Sequence, residues 1–292
     1  MPFQGDTLQT RSLGGSETAA LCMARELRKL GHRVTVFSNC EKPGQYDGVI
    51  YRPVNEFGAY SVMAPHDICI VQRTPEAFSR RLNSRLNFLW CHDLAIRRQE
   101  APFKGVLWNV DRVMVVSRYM ADQYKEVYGV PEEVLAVTRN GIDLAGFAGL
   151  APARDRKKLM YCARPERGLD VLVRDIFPKL LQRDPELRLY VAGYDNTVPH
   201  MVDFYAHIGQ LMAKFGDRVV QLGYLTKAQL YEHYRSAGVY VYPTPSPTMP
   251  MFAEVSCISA MECQAAGVPI VTSSRGALAE TIAKGAGTLI DG

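Results

Sequence analysis

KLMYCARPERGLDVLVRDIFPKLLQRDPELRLYVAG, residues 158–193, decides the fold class. KLMYCA (158–163) is apolar on both faces, which suits a strand of a parallel sheet covered by helices. Gly168–Arg183 reads as a helix, and LRLYVAG (187–193) as a second strand. Two parallel strands need a crossover of this kind between them.

The same alternation extends in both directions. Upstream, strands are expected at 32–39, 67–72, 86–91, 112–117 and 134–140; downstream, at 218–224, 239–243 and 269–273. Further helices are expected over Glu17–Leu30, Ser117–Tyr128, Lys227–Ala237 and Ser256–Ala266. Strand–helix repetition at this density predicts a doubly wound α/β fold. The pattern breaks at 144–157, LAGFAGLAPARDRK, which is rich in small residues, contains Pro152 and ends in charges. Two Rossmann-like domains are therefore expected, 1–149 and 150–292.

Composition excludes several classes. Across 292 residues, 34 Lys+Arg face 30 Asp+Glu, a net charge of +4 that is too weak to indicate nucleic acid. With 47% hydrophobic and 22% charged residues the chain is globular rather than disordered. No apolar run is long enough to span a membrane, and MPFQGDTLQTRS lacks the core of a secretory signal. The seven cysteines are scattered without a CxxC pair, which predicts a reducing, cytoplasmic setting. Neither an Asp-x-Asp nor a His/Cys cluster with ligand spacing occurs, so no metal site is expected.

Five places can carry chemistry. Gly14-Gly15-Ser16-Glu17 opens a helix, where free backbone N–H groups favour an anion; a plain loop with a Ser16 cap is the alternative. Arg164 and Arg167 lie at the carboxyl end of a strand, well placed to grip phosphate or simply to stand in solvent. Glu254 and Glu262 follow the proline-rich PTPSPTMP (243–250), itself either a surface loop or an active-site wall. A helix starting near Ser256 would aim the N–H groups of Ser256, Cys257 and Ile258 at an anion lying between the two acids. His92 closes the strand LNFLWC as a cleft contact or a satisfied core group. Arginines 73, 80, 81, 85, 97 and 98 crowd one region, as a solvated surface or as a patch for anionic lipid or a phosphorylated acceptor.

Together these pieces resemble the retaining nucleotide-sugar glycosyltransferases of family 4, with their two-domain GT-B fold. In order, the resemblance runs through Gly14-Gly15-Ser16-Glu17, Gly31–Val36, Val116–Tyr119, Arg139–Asp143, Arg164–Asp170, Val191-Ala192-Gly193-Tyr194, Glu254-x7-Glu262, Ala266–Pro269 and Gly276–Glu280. It implies two Rossmann-like domains facing a central cleft. It also implies transfer from a UDP- or GDP-linked sugar to a glycan, lipid or other cell-envelope acceptor, with retention and without a metal or other cofactor. By the resemblance, Gly14, Gly15, Gly193 and the Ser256–Ile258 turn contact the donor, and Arg164 and Arg167 neutralise its diphosphate. Glu254 holds the sugar, Glu262 the ribose, and His92 lies near the reacting face. The setting implied is the cytoplasm, with peripheral contact at the inner face of the membrane as an added partner.

Three departures separate the chain from the family pattern. Val255-Ser256-Cys257 replaces Gly-Phe-Gly, Arg167 replaces lysine, and the chain is expected to be shortened at both ends, leaving the first sheet short of a central strand. The competing expectations are another GT-B activity, an epimerase or a phosphorylase, and a truncated or degenerate sugar-nucleotide binder without transferase activity.

Overall fold

The computed structural model describes residues 2–149, 153–193 and 198–291. Pro152 of the expected linker and Tyr194 of the expected glycine turn lie outside the described residues. Backbone contacts divide the chain into two compact units: the described residues of Met1–Thr7 and Gly14–Asn140, and those of Leu8–Leu13 and Gly141–Gly292.

In the first unit the strands are β1 (Thr35–Ser38), β2 (Gly44–Tyr46), β3 (Val49–Pro53), β4 (His66–Gln72), β5 (Ser84–Cys91), β6 (Arg112–Val115) and β7 (Leu135–Val137). They form two sheets, β1-β3-β2 and the parallel β4-β5-β6-β7. Strands β1 and β4 each end a sheet, pairing on one side only. Sequence patterning missed β2 and β3, because GQY is short and Pro53 closes VIYRP, yet Val49 and Tyr51 are both buried. Helix Gly15–Lys29 precedes this set, and Arg118–Tyr128 is capped by the Ser117 hydroxyl at its start and by left-handed Gly129 at its end.

The second unit holds β8 (Asp155–Cys162), β9 (Arg188–Gly193), β10 (Val219–Tyr224), β11 (Ala237–Tyr242), β12 (Ile270–Ser273) and β13 (Gly287–Ile290). All pair in parallel, in the order β10-β9-β8-β11-β12-β13. This is the order of a doubly wound sheet, whose direction of winding reverses between β8 and β11. Ligands of such sheets bind beyond the carboxyl ends of the strands at that reversal, which here places a site after Cys162 and Tyr242.

The run from Lys158 to Cys162 is buried, as a strand covered on both faces must be. Tyr161, Tyr234, Tyr240, Tyr242 and Phe177 fill the core at 1% exposure or less, each adding about 2–3 kcal/mol of hydrophobic stabilisation. Two of the tyrosine hydroxyls find acceptors where the strands end: Tyr161 donates to the Arg164 carbonyl at 2.8 Å and Tyr240 to that of Cys162 at 3.1 Å. The helix expected over Gly168–Arg183 is interrupted by a π-turn at Leu172–Ile176, immediately before Phe177-Pro178. Proline lacks the N–H that the preceding turn needs, and the widened turn absorbs the loss.

Candidate functional site

Arg167 and Glu254 come together beyond β8 and β11, while Arg164 follows β8 with its side chain against Tyr205. Chain leaving β8 turns through Pro165–Arg167 and reverses at Gly168, whose φ is +110°. A Cβ on Gly168 would lie 2.2 Å from the Pro243 carbonyl oxygen, so only glycine lets this turn press against the start of the proline-rich loop. That loop borders the site: Ser246 donates to the buried Asp170 carboxylate at 2.7 Å, and the chain runs on to Glu254.

Glu254 is only 6% exposed. Its Oε2 accepts from the Tyr242 hydroxyl at 3.0 Å and lies 3.9 Å from Arg167 Nη1. Burial pushes the Tyr242 phenol well above its ordinary range and the Glu254 charge adds to that, so the hydroxyl remains a donor. The Arg167 guanidinium stacks on Phe252 at 4.7 Å, fixing its plane. Behind Glu254, Gly276 pairs as an isolated parallel bridge with φ +66°, and the Ala277 N–H donates to the Glu254 carbonyl at 2.7 Å. Arg164 presents its carbonyl to Tyr161 and to the Arg167 N–H.

The next helix begins at Ile258, with Cys257 as its N-cap, two residues later than the pattern predicts. Ser256 and Cys257 are buried, at 9% and 7% exposure. The Cys257 side chain accepts no cap hydrogen bond, and burial raises its thiol well above the usual range. The run from Glu254 to Glu262 is thus a bridge, a turn and a short helix rather than one straight helix.

Glu262 is 1% exposed. Its Oε1 accepts from Lys227 Nζ at 2.5 Å and from the Tyr231 hydroxyl at 3.1 Å, while Oε2 has no partner among the described residues. Lys227, Gly193, Cys162, Leu225, Leu230 and Ser259 line a small pocket in this unit, whose walls mix polar and apolar groups. Sequence reasoning missed Lys227, Tyr231 and Tyr242. The signal for Lys227 is Thr226-x-x-Gln229, a capping box that seats Lys227 in the first turn of its helix.

The first unit carries its own cluster at the carboxyl ends of β4 and β5. Gly14 is the N-cap of the following helix and makes no side-chain cap; Ser16, expected as a cap, instead donates to Glu17 Oε2 at 3.0 Å. The Glu17 carboxylate folds back over the helix start, where a Cβ on Gly14 would come within 2.5 Å of it. Burial opposes the Glu17 charge, but hydrogen bonds from its own N–H and from Ser16 outweigh that and lower its pKa.

His92 follows β5 and packs on Trp90, with ring centroids 4.6 Å apart. Gln72 Nε2 lies 2.9 Å from His92 Nε2 and donates to the Ser16 carbonyl at 2.9 Å. Arg73, at φ +63°, forms a bidentate pair with Asp93 at 2.7 and 2.9 Å and reaches Ser16 Oγ at 3.3 Å. Burial lowers the His92 pKa from 6.5 to about 4; Asp93 and Glu17 pull it up, and Arg73 pushes it further down.

The crowded arginines do not form a single patch. Arg73 lies at the carboxyl rim of the strands and Arg85 at the second position of β5, beside Asp67 at 3.9 Å. Arg81 pairs with Asp111 at 2.9 Å and Arg97 with Glu126 at 3.3 Å. These acids, remote in sequence, were invisible to a count of local charge.

Two family models match the chain: Glycosyl transferases group 1 over residues 156–292 and Glycosyltransferase Family 4 over 89–145. An uncharacterized glycosyltransferase of Methanocaldococcus jannaschii is 23% identical over 93% of this chain and 80% of its own. A GDP-mannose-dependent phosphatidylinositol monomannoside mannosyltransferase of Mycolicibacterium smegmatis is 27% identical over 63% of this chain, which spans only 50% of that relative. Among solved structures, Anabaena HepE in complex with UDP and glucose superposes with a TM-score of 0.74 at 14% identity, covering 97% of this chain and 83% of that one. Sucrose-phosphate synthase from Thermosynechococcus elongatus gives 0.74 at 19% identity, over 96% and 81%. The two models, the relatives and the solved structures together support a family 4-like glycosyltransferase on the GT-B fold.

Proposed function

We propose that the chain moves a sugar from a UDP- or GDP-linked donor to a glycan, lipid or other cell-envelope acceptor, with retention at the anomeric carbon and without a catalytic metal. The observation that carries this reading is the meeting of Arg167, Glu254 and Tyr242 at the winding reversal of the second sheet. Arg164 and Arg167 supply fixed positive charge for a departing diphosphate, the role a metal plays elsewhere. Glu254, held by Tyr242, accepts hydrogen bonds from sugar hydroxyls, and Glu262 accepts from the ribose beside the pocket bounded by Gly193, Lys227 and Ser259. The Ile258 helix start adds N–H groups for phosphate oxygens. In the first unit Gly14, Gly15 and His92 are proposed as contacts to the donor.

A sugar-nucleotide binder without transferase activity is the second reading. It is favoured by side chains at Ser256 and Cys257 and by the lysine already seated on Glu262. Peripheral contact with anionic lipid has less support, since most of the arginines have acidic partners; no helix among the described residues is long and apolar enough to cross a membrane.

Incubation with UDP-glucose, UDP-N-acetylglucosamine and GDP-mannose, with oligosaccharide acceptors, tests the proposal by proton NMR of the product's anomeric signal. Retained configuration is expected, abolished in Glu254→Ala. An inverted product, or undiminished transfer by Glu254→Ala, would contradict it; nucleotide binding without turnover would favour the binder.

A further inference from the structure

Which nitrogen of His92 carries the proton follows from a carbonyl group on a different element. The Ser16 carbonyl oxygen can only accept, so the Gln72 atom 2.9 Å from it is the amide nitrogen; the flipped amide would set oxygen against oxygen. The same nitrogen lies 2.9 Å from His92 Nε2. Both amide hydrogens are thereby used, one on Ser16 and one on the imidazole. His92 Nε2 must meet that hydrogen with its lone pair, which puts the ring proton on Nδ1. An imidazolium would bring two N–H groups face to face and could form only if the amide turned away from Ser16.

We propose that Gln72 is a positioning residue that locks His92 as the neutral Nδ1–H tautomer, so that His92 meets its ligand as a hydrogen-bond donor rather than as a base. Nδ1 has no partner among the described residues, and Trp90 packs on the ring. The ligand atom it suits is therefore an acceptor oxygen, a hydroxyl or phosphate oxygen of the sugar donor; that identification rests on the proposed function, whereas the tautomer does not. The charged groups around the ring are Asp93, Arg73 and Glu17. Arg73 and Asp93 are paired with each other, so their charges largely offset at the ring. Gln72, at the last position of β4, also ties the ring to the start of helix Gly15–Lys29, so the tautomer holds only while that turn stays in place.

The test is two-bond proton–nitrogen correlation NMR on the full chain labelled with 15N-histidine and free of ligand. Signals of His92 are assigned by their loss in His92→Gln. The wild type is expected to show an unprotonated Nε2 and a protonated Nδ1 at neutral pH. Gln72→Glu replaces the N–H by an acceptor, and the proton is expected to move to Nε2, with the ring's titration midpoint rising by about one unit or more. Gln72→Leu, which adds no charge and keeps similar bulk, is expected to let both tautomers appear. A protonated Nε2 in the wild type, or an unchanged His92 spectrum in folded Gln72→Leu, would overturn the proposal. Because the spectra need no ligand, failure to bind nucleotide sugars would count against the proposed function alone.

Discussion

Lys227 Nζ lies 2.5 Å from Oε1 of Glu262, a carboxylate only 1% exposed. A lysine from one helix thus neutralises a buried acid on another, beside the pocket that Lys227 itself lines. Such a pair contributes little when intact but costs much when broken, because the surviving charge is left without water.

Lys227→Met is accordingly expected to destabilise the second unit by about 3–5 kcal/mol, and the double change Lys227→Met/Glu262→Leu by much less. Denaturant unfolding of the three proteins measures the difference. Equal loss in the single and double variants would show that the pair is not coupled.

Glu254→Gln keeps an oxygen for the Tyr242 hydroxyl but removes the charge beside Arg167. Transfer is expected to fall by about 100-fold or more while the melting temperature moves little, as when one electrostatic contact to a transition state is removed. Steady-state kinetics beside a thermal melt separate the two effects.

Gly276→Ala would set a Cβ 2.4 Å from the Glu254 carbonyl oxygen at a φ of +66°, where a side chain is strained besides. Both effects act on the strand segment carrying Glu254. The expected result is a loss of about 2–4 kcal/mol in stability together with most of the activity. Gly285→Ala also has positive φ but meets nothing within 4 Å, so it should cost only the backbone strain.

The low His92 pKa sets a pH dependence. Its folded value, about 4, lies below the ordinary 6.5, so the unfolded chain takes up the proton first as pH falls. This contribution is therefore complete above pH 6.5 and is lost progressively from there down to about 4, by up to about 3 kcal/mol. Unfolding free energies of wild type and His92→Gln between pH 7 and 4 should converge as pH drops. A constant difference would show that His92 titrates normally.

The sequence carried the second unit well, because β8, β9 and β11 are buried on both faces and stand out as apolar runs between charged turns. Shorter or polar-edged elements were hidden: β3 ends in proline, and β13 is exposed at three of its four residues. Arg164 and Arg167 were legible just after a strand, since that position depends only on where an apolar run stops, and Glu254 was expected in the loop after the proline-rich stretch. What could not be read was side-chain pairing across long separations. Lys227 with Glu262 spans 35 residues, Gln72 with Ser16 56, and Arg81 with Asp111 30. Each is set by how strands and helices dock, which local periodicity does not encode. The helix start at Ile258 slipped by two residues because Glu254 is pinned to Gly276 before the helix can begin.

Thermal stabilisation by UDP, GDP and ADP, compared in wild type and Glu262→Ala without added divalent cation, bears most directly on the claim that the second unit binds a sugar nucleotide. At a hundred times its dissociation constant one nucleotide should stabilise the wild type by about 2.7 kcal/mol, and Glu262→Ala should lose most of that shift. No shift with any nucleotide in a cooperatively folding wild type, or an undiminished shift in the variant, would contradict the account.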